Sequence, residues 1–91
     1  MIRVQWEPGC LTVRGHAGYG PAGSDIVCAA VSALVYALVG SLRQRDLVRE
    51  LTIRPGFVHL AASGDCQREM ELVAEGIRQL AQRYPACVQI Q

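Results

Sequence analysis

Apolar and polar residues alternate in five short segments of the chain, while two longer segments carry the apolar content expected of helices. Alternation predicts strands with one buried face, and apolar residues three and four positions apart predict a helix. The predicted strands cover residues 1–6, 11–14, 51–54, 57–62 and 88–91. The predicted helices cover residues 26–42 and 63–84. The order ββαββαβ predicts an α/β (α+β) fold, in which two helices pack on a single mixed sheet.

The first predicted helix, residues 26–42, is almost entirely apolar and contains no charged residue. A membrane-spanning helix usually needs about 20 apolar residues, and this segment is bounded by Asp25 and Arg43. We therefore expect a core helix and no membrane partner. Because one small sheet does not cover every face of such a helix, we predict a homodimer through the helix 26–42. Alternatively, its small residues lie on a poorly covered face.

Composition and charge limit the partners that we expect. The chain has 91 residues, enough for one domain, with nine basic residues against eight acidic ones. This balance does not give the strongly basic face of a nonspecific nucleic-acid binder, so we expect no nucleic-acid partner. The four cysteines form no C-x-x-C motif. We therefore expect free thiols in a reducing cytoplasm and no metal or other cofactor, with disulfides in a secreted domain as the alternative.

Residues 18–23 match the pattern G-x-G-x-x-G between a strand and a helix, where it is typical of dinucleotide-binding sites. Two observations argue against such a site. Pro21 has no backbone N–H to offer a pyrophosphate, and 91 residues are too few for both halves of a dinucleotide fold. We predict instead a mobile loop whose glycines supply positive φ angles. An anion at the helix N-terminus stays open.

Cys28 and His16, on either side of this loop, form the first candidate catalytic pair. Cys28 falls in the first turn of the apolar helix, where the helix dipole and unpaired N–H groups stabilise a thiolate. If the strand and the helix are adjacent layers, the ring of His16 reaches the sulfur, as a nucleophile and its general acid/base require. Spacing alone leaves open an inert core cysteine and a surface histidine.

A second cysteine and histidine repeat this arrangement. Cys66 is placed at the start of the second helix, and His59 lies on the hairpin before it. The loop between them is short and has one glycine, Gly64, so that it offers little room for a substrate. We interpret Cys10 and Cys87 as structural.

The segments G-H-A at 15–17 and G-S-D-I-V-C-A-A-V-S at 23–32 resemble the motif of the ribosomal-processing cysteine protease family. The family's length and its ββαββαβ order cover the whole chain. The resemblance implies a single cysteine-protease domain over residues 1–91, and such proteases are homodimers in bacteria. It also implies a substrate, the precursor of large-subunit ribosomal protein twenty-seven, from which the enzyme removes a short N-terminal extension.

The resemblance assigns roles to individual residues. Cys28 matches the nucleophile and His16 its base, while Gly15, Asp25 and Ser32 match other recurrent positions of the motif. The region between His16 and Cys28 matches a mobile segment that must move to admit the peptide. The residues of that substrate loop are Gly18, Tyr19, Gly20, Pro21 and Gly23.

Acyl transfer is the reaction that these assignments predict. The Cys28 thiolate attacks the scissile carbonyl, and His16 passes the proton to the leaving amine. We expect N–H groups at the start of the first helix to hold the oxyanion. Asp25 orients His16, caps the helix as Ser24 also could, or does both, and Gly15 lets the backbone pass close to the substrate. The alternative function is a non-catalytic dimeric peptide-binding module associated with the ribosome.

Overall fold

The computed structural model describes residues 1–21 and 25–91, which form a five-stranded sheet and two helices. The elements are β1 (Ile2–Glu7), β2 (Cys10–Arg14), α1 (Ile26–Gln44), β3 (Val48–Arg54), β4 (Phe57–Ala62), α2 (Gln67–Arg83) and β5 (Val88–Ile90). The sheet order is β3-β4-β2-β1-β5, with β5 parallel to β1 and the other pairs antiparallel. The predicted mixed sheet with two helices in the order ββαββαβ is confirmed.

Both helices pack on the same face of the sheet. Along β1, β2 and β4 every second side chain is buried, because successive side chains of a strand point to opposite faces. The buried strand residues are Ile2, Val4, Leu11, Val13, Val58 and Leu60. They join apolar residues of both helices in one core. The sheet therefore has a covered face, which meets the helices, and an open face, which carries mostly polar residues.

The helix α1 buries only one of its sides. The residues that it contributes to the core are Val27, Val31, Val35, Leu38, Val39 and Leu42. On its other side Ile26 and Tyr36 are 58% and 49% exposed. By length and composition α1 could also cross a membrane, a test that the core helix of a soluble protein passes as well. The expected core position is thus found for one side of α1, and the other side is uncovered in the single chain.

Two predicted element boundaries were wrong for local reasons. The strand β3 begins at Val48 instead of residue 51, because a bulge between Val48 and Glu50 interrupts the alternation. The helix α2 begins at Gln67 instead of residue 63. The backbone N–H of Ser63 still donates to the carbonyl of Leu47 at 3.1 Å, so the chain has not yet turned into the helix there.

Candidate active site

Cys28 lies in the first turn of α1, and Asp25 fixes the backbone around it. The Asp25 oxygen Oδ1 accepts hydrogen bonds from the N–H groups of Val27 and Cys28, both at 3.0 Å. The carbonyl of Asp25 accepts from the N–H of Ala29 at 3.1 Å, which makes Asp25 the N-cap of the helix. The thiol is therefore held at a helix N-terminus, where the dipole favours negative charge.

The sulfur of Cys28 is also bonded to the segment that follows β2. The backbone N–H of Ala17 donates to Cys28 Sγ at 3.1 Å, and this bond joins the end of the strand to the start of the helix. Ala17 is buried and Cys28 is half-buried. An N–H that points at sulfur stabilises a thiolate more than a thiol, because hydrogen bonds to charged acceptors are stronger. Sequence reasoning missed this contact, because every residue except proline has a backbone N–H and the residue type does not show where that group points.

His16 lies next to Ala17 and reaches the same cleft. Its side chain is exposed, and its carbonyl accepts from the Met1 nitrogen at 2.5 Å. The imidazole ring lies against Gly56 in the β3–β4 turn, where an added Cβ would be 2.9 Å from His16 Nε2. His16 and Cys28 both line a cleft of about 150 Å³ between α1 and this turn. The structure thus brings the first candidate pair together.

Gly15 and Ser32 line the cleft as well. Ser32 is exposed, one turn of α1 beyond Cys28. Gly15 has a φ of +93°, and its N–H donates to the carbonyl of Gly56 at 2.8 Å, which ties the end of β2 to the β3–β4 turn. A side chain at Gly15 would overlap the carbonyl oxygen of Met1. The Met1 carbonyl, a group of the chain itself, thus already requires glycine at this position, and the passage of the Gly15 backbone close to a substrate stays a prediction.

The hydrogen bonds that Asp25 accepts in the described part of the chain come from backbone amides, and through them it caps α1. Its second oxygen, Oδ2, accepts from the N–H of Tyr19 at 3.0 Å, and within residues 1–21 and 25–91 no hydrogen bond joins it to the His16 ring. The Cys28 amide holds the pKa of the Asp25 carboxyl below its usual value of 3.8, and further backbone amides act in the same direction, against burial, which raises it. A charged Asp25 therefore links the loop to the helix.

The amides expected to hold an oxyanion are already bonded. The N–H groups of Val27 and Cys28 donate to the Asp25 side chain, and that of Ala29 donates to the Asp25 carbonyl. The expectation was wrong for these three donors, because an N-cap residue takes up the first free amides of its helix. The N–H of Ala17 donates instead to Cys28 Sγ, at 3.1 Å.

The predicted substrate loop is described as far as Pro21. Residues 18–21 are all exposed. The ring of Tyr19 packs edge-on against that of Tyr84, which follows α2, with 5.4 Å between the ring centroids. Gly23 and the second cap candidate, Ser24, lie outside the described residues. The loop starts beside the cleft, and its movement on substrate binding stays a prediction.

The second cysteine and histidine are not brought together. Cys66 is the N-cap residue of α2 and lies in the core on the covered face of the sheet, with 6% of its surface exposed. His59 lies on the open face, where Nδ1 is 3.0 Å from Thr12 Oγ1 and Nε2 is 3.5 Å from Glu50 Oε2. The sheet separates the thiol from the imidazole, so this pair forms no catalytic site.

Three further residues of the cleft were not singled out from the sequence, namely Tyr36, Arg54 and Phe57. The guanidinium carbon of Arg54 lies 4.5 Å from the centroid of the Phe57 ring. The Pro-Gly pair at 55–56 does identify the turn, but its position beside His16 depends on the pairing of β2 with β4. Local residue patterns do not predict such long-range pairing of strands.

A family model described as "Cysteine protease Prp" matches residues 2–89 of the chain. The chain belongs to this family. It is therefore a cysteine protease of the Prp family. None of the curated proteins matches the chain.

Solved structures share the Prp fold. The ribosomal processing protease Prp from S. aureus, in complex with a covalently linked product peptide, has a TM-score of 0.87 at 21% identity, covering 100% of this chain and 98% of that one. Prp from S. aureus with a substrate peptide gives 0.78 at 17% identity, covering 99% and 95%. SMU.848 from Streptococcus mutans gives 0.77 at 29% identity, covering 100% and 92%. These likenesses concern the fold, and roles for individual residues rest on the geometry above.

Proposed function

We propose that Cys28 is the nucleophile of this Prp protease and that His16 is its general acid and base. The observation that supports this most strongly is the shared cleft, in which the half-buried thiol at the start of α1 faces the same space as the imidazole. Cys28 gives its proton to His16, and the thiolate bonds to the scissile carbonyl carbon. His16 then protonates the leaving amine as the C–N bond breaks. Water attacks the thioester with His16 as base, which frees the acid and restores the thiol.

The N–H of Ala17 is the oxyanion donor that we propose for this reaction. It already donates to Cys28 Sγ at 3.1 Å. When the sulfur becomes bonded to carbon and loses its charge, the negative charge moves to the carbonyl oxygen next to it. A backbone donor at this place is worth on the order of 3 kcal/mol in the barrier. Ser32 offers a hydroxyl at the same cleft.

The substrate that we propose is the precursor of large-subunit ribosomal protein twenty-seven, cut after its N-terminal extension. The S. aureus proteins with the same fold support a ribosomal protein as the target, because they are ribosomal processing proteases that hold a substrate peptide or a linked product peptide. The cytoplasm, where such precursors are made, suits the four cysteines, all of which are free.

Incubation with the purified precursor tests the assignment of the nucleophile. Mass spectrometry should show a shortened product, and Cys28→Ala should lower the rate by a factor on the order of 10⁴. The control Cys66→Ala removes the other helix-start thiol and should cut at nearly the normal rate. Cleavage that persists in Cys28→Ala and is lost in Cys66→Ala would move the nucleophile to α2. Stable binding of the precursor without any product would favour the peptide-binding module instead.

A homodimer through the uncovered side of α1 is the second part of the proposal. This side exposes Ile26 and Tyr36 together with small residues such as Ala33, and burying it would remove apolar surface from water. Sedimentation should give twice the mass of one chain for the wild type and the mass of one chain for Ala33→Glu. Gln82→Glu, on the exposed side of α2, is the control that should leave the mass unchanged. A monomeric wild-type protein would exclude the dimer.

A further inference from the structure

Three arginines form a transverse row on the open face of the sheet. Arg3 pairs in register with Arg14, Arg14 with Phe57, and Phe57 with Arg54, so one row crosses β1, β2, β4 and β3. Neighbouring strands lie about 4.8 Å apart, which makes these side chains direct neighbours. We call this set the arginine row. It lies at the end of the sheet where β2 leads into His16.

The Phe57 ring orders two of the three guanidinium groups. The guanidinium carbon of Arg54 lies 4.5 Å from the ring centroid and that of Arg14 lies 5.6 Å from it. A guanidinium over an aromatic ring is held by cation–π attraction and keeps its N–H edge free for another partner. Two side chains of the row have therefore already lost part of their conformational freedom, which lowers the entropy cost of binding an anion.

The charge of the arginine row is not neutralised within the part of the chain that the structure describes. In the described ranges 1–21 and 25–91, none of Arg3, Arg14 and Arg54 forms an ion pair. The acidic residues of the open face, Glu7 and Glu50, lie two rows away, about 13 Å along the strands. That separation exceeds the screening length of about 10 Å at 0.1 M salt. The positive end of the open face therefore attracts an anion from outside.

The row begins at the cleft itself. Arg54 and Phe57 line the same cavity as His16 and Cys28. A substrate that occupies this cavity in extended form, with about 3.3 Å per residue, therefore carries side chains near the cut past Arg54. We propose that Arg54, held on Phe57 and supported by Arg14 and Arg3, makes this protease prefer peptides with a carboxylate side chain close to the scissile bond. The inference rests on the proposed function of Cys28 and His16.

A peptide carboxylate suits the row better than a nucleic acid. Proteins that bind single-stranded nucleic acids offer free aromatic faces on which bases stack, whereas the Phe57 ring is occupied by Arg54 and Arg14. The net charge of the chain is only +1, whereas nucleic-acid-binding domains are typically strongly basic. A carboxylate needs one fork of N–H groups, and Arg54 supplies such a fork at the cleft that His16 and Cys28 line.

The test varies one charge on the substrate and one on the enzyme. A fluorogenic peptide that the protein cuts is remade with Glu, Gln or Lys at each position around the cut, and kcat/KM is measured at low salt. We expect Glu to exceed Gln by about threefold to tenfold at one or two positions. Arg54→Gln should abolish this preference, and Arg54→Glu should make Lys the preferred residue there. Arg68→Gln on the exposed side of α2 is the control and should keep the preference for Glu.

Several outcomes would overturn the inference while leaving the protease intact. Equal cutting of the Glu, Gln and Lys peptides at every position would show that no carboxylate is selected. Equal losses on the Glu and Gln peptides in Arg54→Gln would show a structural role. Absence of a carboxylate preference, together with binding of a short single-stranded RNA that Arg54→Gln weakens, would assign the row to phosphate. If the wild-type protein cuts no peptide, or if Cys28→Ala cuts as well as it does, then the proposed function itself fails.

Discussion

Each of the two helices of this protein begins close to a cysteine and follows a β-hairpin. A histidine, His16, follows the first hairpin, and another, His59, lies within the second. At α1 the cap is the Asp25 side chain, and Cys28 lies three residues further on, half-buried, with its sulfur bonded to the Ala17 amide. At α2 Cys66 itself occupies the N-cap position, makes no side-chain capping bond and is buried in the core. The two thiols thus occupy different positions of similar helix starts.

The histidines differ even more than the cysteines. His16 comes after its strand has ended, so that it is free of the alternation and reaches the helix side at the cleft. His59 lies inside β4, and alternation places it on the open face with Thr12 and Glu50. A Cys–His pair of similar spacing therefore shares a cleft only where the histidine has left the sheet. Parallel substitutions at matched positions in the two regions test this view.

Substitution of each histidine by alanine should give the largest difference in activity between the two regions. His16→Ala removes the proposed acid and base and should lower kcat/KM by about 10²- to 10⁴-fold. His59→Ala removes a ring that contacts only open-face neighbours among the described residues, and should leave the rate near that of the wild type. Alkylation of Cys28 by iodoacetamide at pH 7 should slow in His16→Ala alone. Equal loss of activity in both variants would contradict the assignment.

A pair of glycine variants should give a smaller but more selective effect. Gly56 and Gly64 both have positive φ, +69° and +89°. An added Cβ would lie 2.9 Å from His16 Nε2 at the first and 2.9 Å from Leu47 Cδ2 at the second. Alanine at either position costs about 1–2 kcal/mol in backbone strain, so thermal melts should show similar losses of stability.

Activity should separate the two glycine variants. Gly56→Ala displaces the imidazole and should lower kcat by about 10- to 100-fold, because small misplacements of catalytic groups are costly. Gly64→Ala moves a leucine beside α2 and should keep kcat close to normal at a temperature where both variants are folded. If the two variants lose activity in proportion to stability, then Gly56 acts only on the fold.

The same comparison shows what the sequence was able to predict. The order of the elements and the helix α1 followed from alternation and from helix signals. The motif that resembles a protease family singled out His16 and Cys28, and the structure places both at one cleft. Rows of residues across the sheet did not follow, because the order β3-β4-β2-β1-β5 depends on pairings between distant parts of the chain. The closeness of Gly56 to His16 and the arginine row both come from those pairings.

The caps of the two helices mark another limit of sequence reasoning. From the sequence, Asp25 could orient His16 or cap α1. The structure shows hydrogen bonds from helix and loop amides to its side chain, and these depend on the path of the loop before α1. At α2 the predicted helix began at Ser63, a residue type that is common at helix N-caps. Cys66 takes the position instead, because the Ser63 N–H is still bonded to Leu47 and the helix starts one turn later.

The acid dependence of stability should show the smallest effect of this comparison. Amides hold the pKa of Asp25 below 3.8 in the folded protein, so its charged form contributes stability that is fully present above the unfolded value. That contribution is lost as the pH falls below 3.8 through the lower folded value. Asp25→Asn keeps a side chain that caps helices but has no such titration. Thermal melts from pH 7 to pH 2 should therefore show a Tm difference between wild type and Asp25→Asn that is constant at neutral pH and shrinks below pH 3.8.

The matched control lies at the start of the other helix. Asp65→Asn changes a carboxylate that is 90% exposed and 3.8 Å from Arg45, so this variant should follow the wild-type acid curve. A constant Tm difference for Asp25→Asn down to pH 2 would mean that the charge of Asp25 contributes nothing and that any acceptor suffices at this cap. A shrinking difference would show that the carboxylate itself holds the first turn of α1, and with it Cys28, in place.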